Sequence, residues 1–181
     1  MKIEKNDLGV IIIKPKQFHD DRGFFCETYS GKKYIDIGIN DVFVQDNLSL
    51  STKKGTLRGL HFQKPPYAQA KIVRCGQGSI YDVAVDIRKK SQTFGKWCGY
   101  ELSAKNGYQL YIPEGFAHGF ITLEDNSEIV YKCSNYYHQP SECSIHYNDS
   151  KISIDWPNIT KHILSEKDKD ALSLIEIKNP F

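Results

Sequence analysis

Apolar residues along this chain recur with a period of two far more often than with 3.6, and turn-forming residues interrupt them at intervals of about eight to twelve positions. That alternation predicts antiparallel β structure, with strands over residues 10–14, 42–45, 71–75, 80–87, 97–102, 108–112, 120–123, 128–133 and 144–147. Short strands in such succession close into a sandwich or barrel. Within 80–87, Tyr81, Val83, Val85 and Ile87 share one face, while Asp82, Ala84 and Asp86 share the other with Ile80. One face is therefore expected to line a core and the other to meet water. Two short helices are expected, over 31–37 and 165–171, the second capped by Ser165 and carrying Glu166 and Asp168 near its start. No internal repeat, low-complexity tract or linker divides the chain, so residues 1–181 read as one domain.

Composition narrows the partners. With 40% hydrophobic residues in 181 the chain can bury a real core. Its 24 Lys and Arg nearly cancel 22 Asp and Glu, and no basic block occurs, so neither a nucleic acid nor a membrane surface is an expected partner. The absence of a long apolar run and of a cleavable signal pattern leads to an expected cytoplasmic location. Five cysteines, an odd number without a CxxC pair, are expected to be reduced thiols rather than a disulfide framework or a zinc knuckle.

The chemistry is concentrated in two strings, RGLHFQKPPYAQAKIVR at 58–74 and IPEGFAHGF at 112–120. In the second, Pro113, Gly115 and His118 have the spacing PxGxxH, the latter half of the cupin pattern. A metal cupin supplies His-x-His and a nearby glutamate from the former half, giving three of the protein ligands that a divalent ion needs. Here that half reads His61, Phe62, Gln63, with Tyr67 where the glutamate would fall. An amide and a phenol are poor substitutes, so no metal and no cofactor are expected. Period two sets His61 and Gln63 on one side of a strand, and Lys71 on the following strand can reach the same cavity. A base beside a cation can remove a proton next to a carbonyl. Neither GxGxxG nor GxxxxGK occurs, which argues against dinucleotide-dependent dehydrogenases and P-loop kinases.

Ten strings in order, DDRGFFCETY, FVQDN, RGLHFQ, QAKIVR, DVAVDIR, TFGKW, IPEGFAHGF, YKCSNYY, SIDWP and LSEKD, make the chain resemble the dTDP-4-dehydrorhamnose 3,5-epimerases. The resemblance implies an all-β, cupin-type double-stranded β-helix jelly roll with a few short helices, free of metal, working as a homodimer with exchanged N-terminal strands. It implies His61 as general base, Asp168 as the carboxylate that orients and charges it, Tyr131 as general acid on the opposite face, and Lys71 as the cation that holds the enolate oxygen. It further places Arg22, Glu27, Gln45, Asn47, Arg58, His118, Glu142 and Lys167 around the nucleotide-sugar, with Arg22 and Glu27 serving the partner's pocket. Asp82 and Arg88 read as structural, a buried hydrogen-bonding acid and a strand-end cation.

The activity so implied is inversion of C3, C5 or both in a nucleotide-diphospho-4-keto sugar, foremost a dTDP-4-keto-6-deoxyhexose on the way to rhamnose. His146 and Tyr147 stand where many members carry a bulky apolar residue and a tryptophan. Together with the loop after Tyr137, they leave open a GDP-linked 4-keto heptose of capsule biosynthesis. A non-catalytic sugar-binding cupin would need the barrel but not base, orienting acid, opposite acid and cation together. A metal-dependent cupin oxygenase or isomerase would need the missing histidine and glutamate.

Overall fold

The computed structural model describes residues 1–178 and 181. Its strands are β1 (Lys2–Lys5), β2 (Ile11–Lys14), β3 (Gln17–Asp20), β4 (Gly23–Cys26), β5 (Gln45–Ser51), β6 (Leu57–Gln63), β7 (Lys71–Gln77), β8 (Ser79–Asp86), β9 (Trp97–Ser103), β10 (Gln109–Ile112), β11 (Phe116–Thr122), β12 (Ser127–Cys133) and β13 (Glu142–Ser144). Helix α1 spans Gly31–Asp36 and α2 spans Glu166–Lys169. A six-stranded sheet runs β1-β2-β10-β7-β12-β5, a five-stranded sheet runs β13-β6-β11-β8-β9, and β3 and β4 form a separate hairpin. This is the cupin-like jelly roll.

The two sheets pack face to face over Val10, Ile12, Val73, Leu110, Ile112 and Ile129 from the larger and Ile80, Ala84, Leu102, Phe116 and Phe120 from the smaller. The strand residues between these point outward and find other cover. Ile11, Ile13 and Ile72 pack against Tyr34 of α1 and Ile39. On the smaller sheet Leu60, Phe62, Val83, Val85, Ile87 and Ala117 pack against Ile145, Ile152 and Leu174 of the C-terminal segment. That segment is stitched on by parallel bridges, Thr56 to Ile163 and Ile145 to Leu172. Its docking overturns the expectation of a wet face on the 80–87 strand. Ile80, Asp82, Ala84 and Asp86 face the barrel interior, and both Asp82 and Asp86 are fully buried.

Other boundaries moved for local reasons. The strand expected at 42–45 forms at Gln45–Ser51 instead, and the one expected at 144–147 forms at Glu142–Ser144. The strand read around His61 and Gln63 spans Leu57–Gln63, and residues 2–5, 17–20 and 23–26 are strands that the alternation did not predict. Ser165 caps α2, its side chain accepting from Asp168 N, as the sequence suggested. Among the described residues all five cysteines are free, and no helix is long and apolar enough to cross a membrane.

Candidate active site

Strand register assembles the polar end of the barrel. In the larger sheet Lys71 lies abreast of Cys133 and Gln45, and Tyr131 abreast of Asn47. In the smaller sheet His61 lies between His118 of β11 and Ser144 of β13. The inward positions nearer the barrel floor are apolar, and those at the open end are polar. A cavity of about 410 Å³ results, walled by Arg58, His61, Lys71, His118, Phe120, Tyr131, Ser165, Lys167 and Asp168 among others. A smaller recess of about 160 Å³ shares His61, Lys71 and Tyr131 with it and adds Gln45, Asn47, Gln63, Gln69, Cys133, Tyr137 and Glu142.

His61 Nε2 lies 2.5 Å from Asp168 Oδ1. Asp168 is only 3% exposed, and Ser165 Oγ donates to its other oxygen at 2.8 Å. Burial alone would raise this carboxyl, but the bond to His61, the charge of His61, the Ser165 hydroxyl and Lys167 together hold it below the ordinary carboxylate value. The carboxylate therefore stays ionised and fixes the imidazole in one orientation. Burial pushes the Lys71 ammonium below its ordinary value, opposed by Cys133, Asp82 and Glu142. Burial likewise pushes the Tyr131 phenol up, so it holds its proton at neutral pH. His118 is buried and its Nε2 lies 2.6 Å from Asp82 Oδ1. Desolvation lowers its pKa against the pull of Asp82, so the ring is neutral and donates through Nε2–H. The other oxygen, Asp82 Oδ2, is buried with no hydrogen-bond partner among the described residues.

At the mouth, Lys167 pairs with Glu142 at 2.6 Å, and the Tyr137 hydroxyl donates to the same carboxylate at 3.1 Å. Arg58 sits on the rim, its guanidinium donating to Ser51 Oγ and Leu50 O. Among donors at the positions that a metal cupin would use, Gln63 is bonded to backbone groups and the Tyr67 ring stacks on His138 at 3.8 Å. These residues do not fit a metal centre.

Comparison with known proteins bears on this geometry. The family model for dTDP-4-dehydrorhamnose 3,5-epimerase matches residues 6–176. The chain is 53% identical over 169 residues to the dTDP-4-dehydrorhamnose 3,5-epimerase of Escherichia coli K12, covering 93% of this chain and 91% of that one. The chain belongs to the dTDP-4-dehydrorhamnose 3,5-epimerase family. Among solved structures, the dTDP-6-deoxy-D-glucose-3,5-epimerase of Legionella pneumophila in complex with dTDP-4-keto-L-rhamnose superposes with a TM-score of 0.94 at 47% identity, over 98% of this chain and 94% of that one. A narrower relative, the dTDP-4-dehydrorhamnose 3-epimerase of Streptomyces niveus, is 38% identical over 172 residues, covering 94% of this chain and 82% of that one.

Of the residues that the sequence singled out, His61, Lys71, Tyr131, Asp168, Arg58, His118, Lys167, Gln45, Asn47 and Glu142 are brought to the two connected recesses. Arg22 and Glu27 are not. The Arg22 side chain is 90% exposed on the β3–β4 hairpin and pairs with Asp20, and Glu27 pairs with Lys33. Asp82 lies inside the barrel against His118, and Arg88 bonds both oxygens of Asp86. The His146 and Tyr147 rings meet at a tilt outside the recesses, and Tyr147 meets His162 edge-on. The wall residues Ser49, Gln69, Phe120, Cys133, Tyr137 and Ser165 were not singled out as site residues. The alternation that sets Ser49 two residues from Asn47, Phe120 two from His118 and Cys133 two from Tyr131 could have found three of them.

Proposed function

We propose that this protein is a cofactor-independent epimerase that inverts C3 and C5 of a dTDP-4-keto-6-deoxyhexose, with residues 1–181 acting as one domain. The observation that carries this reading is the His61–Asp168 pair on one wall of the cavity with Tyr131 on the other. His61 belongs to the five-stranded sheet and Tyr131 to the six-stranded sheet, so two proton carriers flank the space between. Inversion at carbon needs two sides, because one group acting alone tends to restore the starting configuration.

In this reading His61 removes the proton from the carbon beside the C4 carbonyl and becomes an imidazolium that Asp168 stabilises. The electron pair of that C–H bond moves onto the carbonyl oxygen, giving an enolate. Lys71 holds the enolate oxygen, where a fixed cation counts for more than in water. Tyr131 then delivers its proton to the opposite face, and exchange with solvent resets both residues. Arg58, His118 and Lys167 are candidates to grip the diphosphate and sugar, with Gln45, Asn47 and Glu142 beyond them. The relatives named above act on dTDP sugars, which favours a thymidine-linked hexose over a GDP-linked heptose. Because Gln63 and Tyr67 are engaged elsewhere, activity is expected to survive exhaustive chelation.

A homodimer is part of the proposal. Phe24 and Phe25 on the β3–β4 hairpin are 56% and 69% exposed, and Leu48 and Leu50 on the edge strand β5 are 64% and 51% exposed. Such a concentration of apolar surface favours a protein partner. The free cysteines support a reducing, cytoplasmic setting. The deciding experiment supplies dTDP-4-keto-6-deoxyglucose in deuterium oxide and reads deuterium at C3 and C5 by NMR. The unmodified protein is expected to place it at both carbons. Tyr131→Phe is expected to exchange without inverting, and His61→Ala to do neither. Full turnover in His61→Ala would sink the mechanism.

A further inference from the structure

Backbone pairing lapses just past the end of β12. Ser134 N still bonds Ala70 O, and pairing resumes where Ser141 N bonds His138 O. Between them, side-chain amides take over. Asn135 O accepts from Gln69 Nε2 at 2.8 Å, Tyr136 N donates to Asn135 Oδ1 at 2.9 Å, and Tyr137 N donates to Gln45 Oε1 at 3.0 Å. Gln63 contributes most. Its Oε1 accepts from His138 N at 2.7 Å, and its Nε2 donates to Tyr136 O at 3.1 Å and to Tyr67 O at 2.7 Å.

Gln63 is 5% exposed, and one amide with an acceptor and two donors fits three backbone groups that no strand reaches. It lies two residues along β6 from His61, and opposite Glu142 in the β13–β6 register. The segment it holds carries Tyr137, whose ring is exposed while its hydroxyl is tied to Glu142 at the mouth. Little packing fixes that ring. Its height over the mouth is set by the backbone beneath it, and the backbone is set by the amides.

We propose that Gln63 is a positioning residue that holds the 135–138 segment, and with it Tyr137, at the cavity mouth, so that it governs affinity for the substrate and not the proton transfers deeper in the barrel. The ligand in this inference rests on the epimerase reading. The strand that bears the base thus also bears the brace for the mouth, at the position where a metal cupin keeps a ligand.

The test compares the full-length protein with Gln63→Leu, Tyr137→Ala and the double variant, measuring kcat and KM with dTDP-4-keto-6-deoxyglucose and Kd for thymidine diphosphate by calorimetry. Gln63→Leu is expected to raise KM and Kd about tenfold, the scale of roughly one net hydrogen bond, while kcat stays within about twofold. Since Gln63 acts through Tyr137, its effect on Kd should largely vanish when Tyr137 is already alanine. Equal losses in kcat and kcat/KM, or fully additive effects on Kd, would overturn the inference. Gln69→Leu, which frees only Asn135 O, serves if Gln63→Leu does not fold. A raised Kd that is non-additive with Tyr137→Ala supports the brace, and an unchanged Kd overturns it. Failure of the unmodified protein to bind thymidine diphosphate overturns the epimerase reading and this inference together. Equal binding by the unmodified protein and every variant overturns the inference alone.

Discussion

His61 and Asp168 are separated by 107 residues yet meet at 2.5 Å, because β6 carries the first and the C-terminal segment laid along the barrel carries the second. Asp168→Asn keeps the shape of the pair and removes its charge, so the imidazolium formed on proton abstraction loses its stabilising partner. It is expected to lower kcat by roughly a hundredfold or more. Ser165→Ala, which removes only the hydroxyl that steadies Asp168, is expected to cost less. Initial rates of epimerisation for the two variants, compared at one pH, check the order.

The alkaline limb of the rate should belong to Lys71. Its pKa is depressed from the usual 10.5, chiefly by burial, whereas that of Tyr131 is raised from 10.0. The two shifts run in opposite directions, so the expected cause of the alkaline fall is loss of the Lys71 proton, which takes the cation from the enolate while the general acid is still loaded. A guanidinium stays protonated throughout, so Lys71→Arg is expected to retain partial activity with the limb flattened. A kcat profile whose alkaline fall is unmoved in Lys71→Arg would assign the titration to Tyr131.

The unmodified protein is expected to have a solution mass of about twice 20.8 kDa. Phe25 is 69% exposed on the hairpin, and Phe25→Asp adds a charge that must be desolvated in any interface covering it. The variant is expected to shift toward the monomer in light scattering. If Arg22 and Glu27 reach the partner's pocket, its KM rises in parallel; a fully active monomer would show that they do not.

Acid stability should follow Asp86. Burial favours its neutral form, but Arg88, Thr93 and Ser91 override it and hold the carboxyl at about 2, against 3.8 unperturbed. With the folded value depressed, its contribution is complete above the unperturbed value and is lost as pH falls through the folded one. The amount is on the order of 2 kcal/mol. Urea midpoints measured between neutral and acid pH should fall less steeply in Asp86→Asn than in the unmodified protein.

Much of the barrel was legible because core residues announce themselves by period. Strands were expected over 128–133 and 71–75, and β12 and β7 form there. β5 was misplaced because its polarity is inverted. Asn47 and Ser49 turn toward the cavity, whereas Leu48 and Leu50 turn outward and stay exposed. A rule that sends apolar residues inward fails on a strand with one polar inner face and one apolar outer face. The hairpin was missed for the same reason, since Phe18, Phe24 and Phe25 contribute nothing to the core of their own chain. At the site, the motif strings marked His61, Lys71, Tyr131 and Asp168, but only the register of β6, β7 and β12 and the docking of α2 set them around one space. Gln63 was read as a ligand that had been lost. Its bonding to the 136–138 backbone depends on a chain reversal that no local pattern encodes.

Because Asp168 lies on α2, well after the last barrel strand β13 has closed at Ser144, translation delivers the base long before its carboxylate. The growing chain can thus complete its sheets while His61 has no orienting charge, and the dyad forms only when the tail at last lies down along the outer wall.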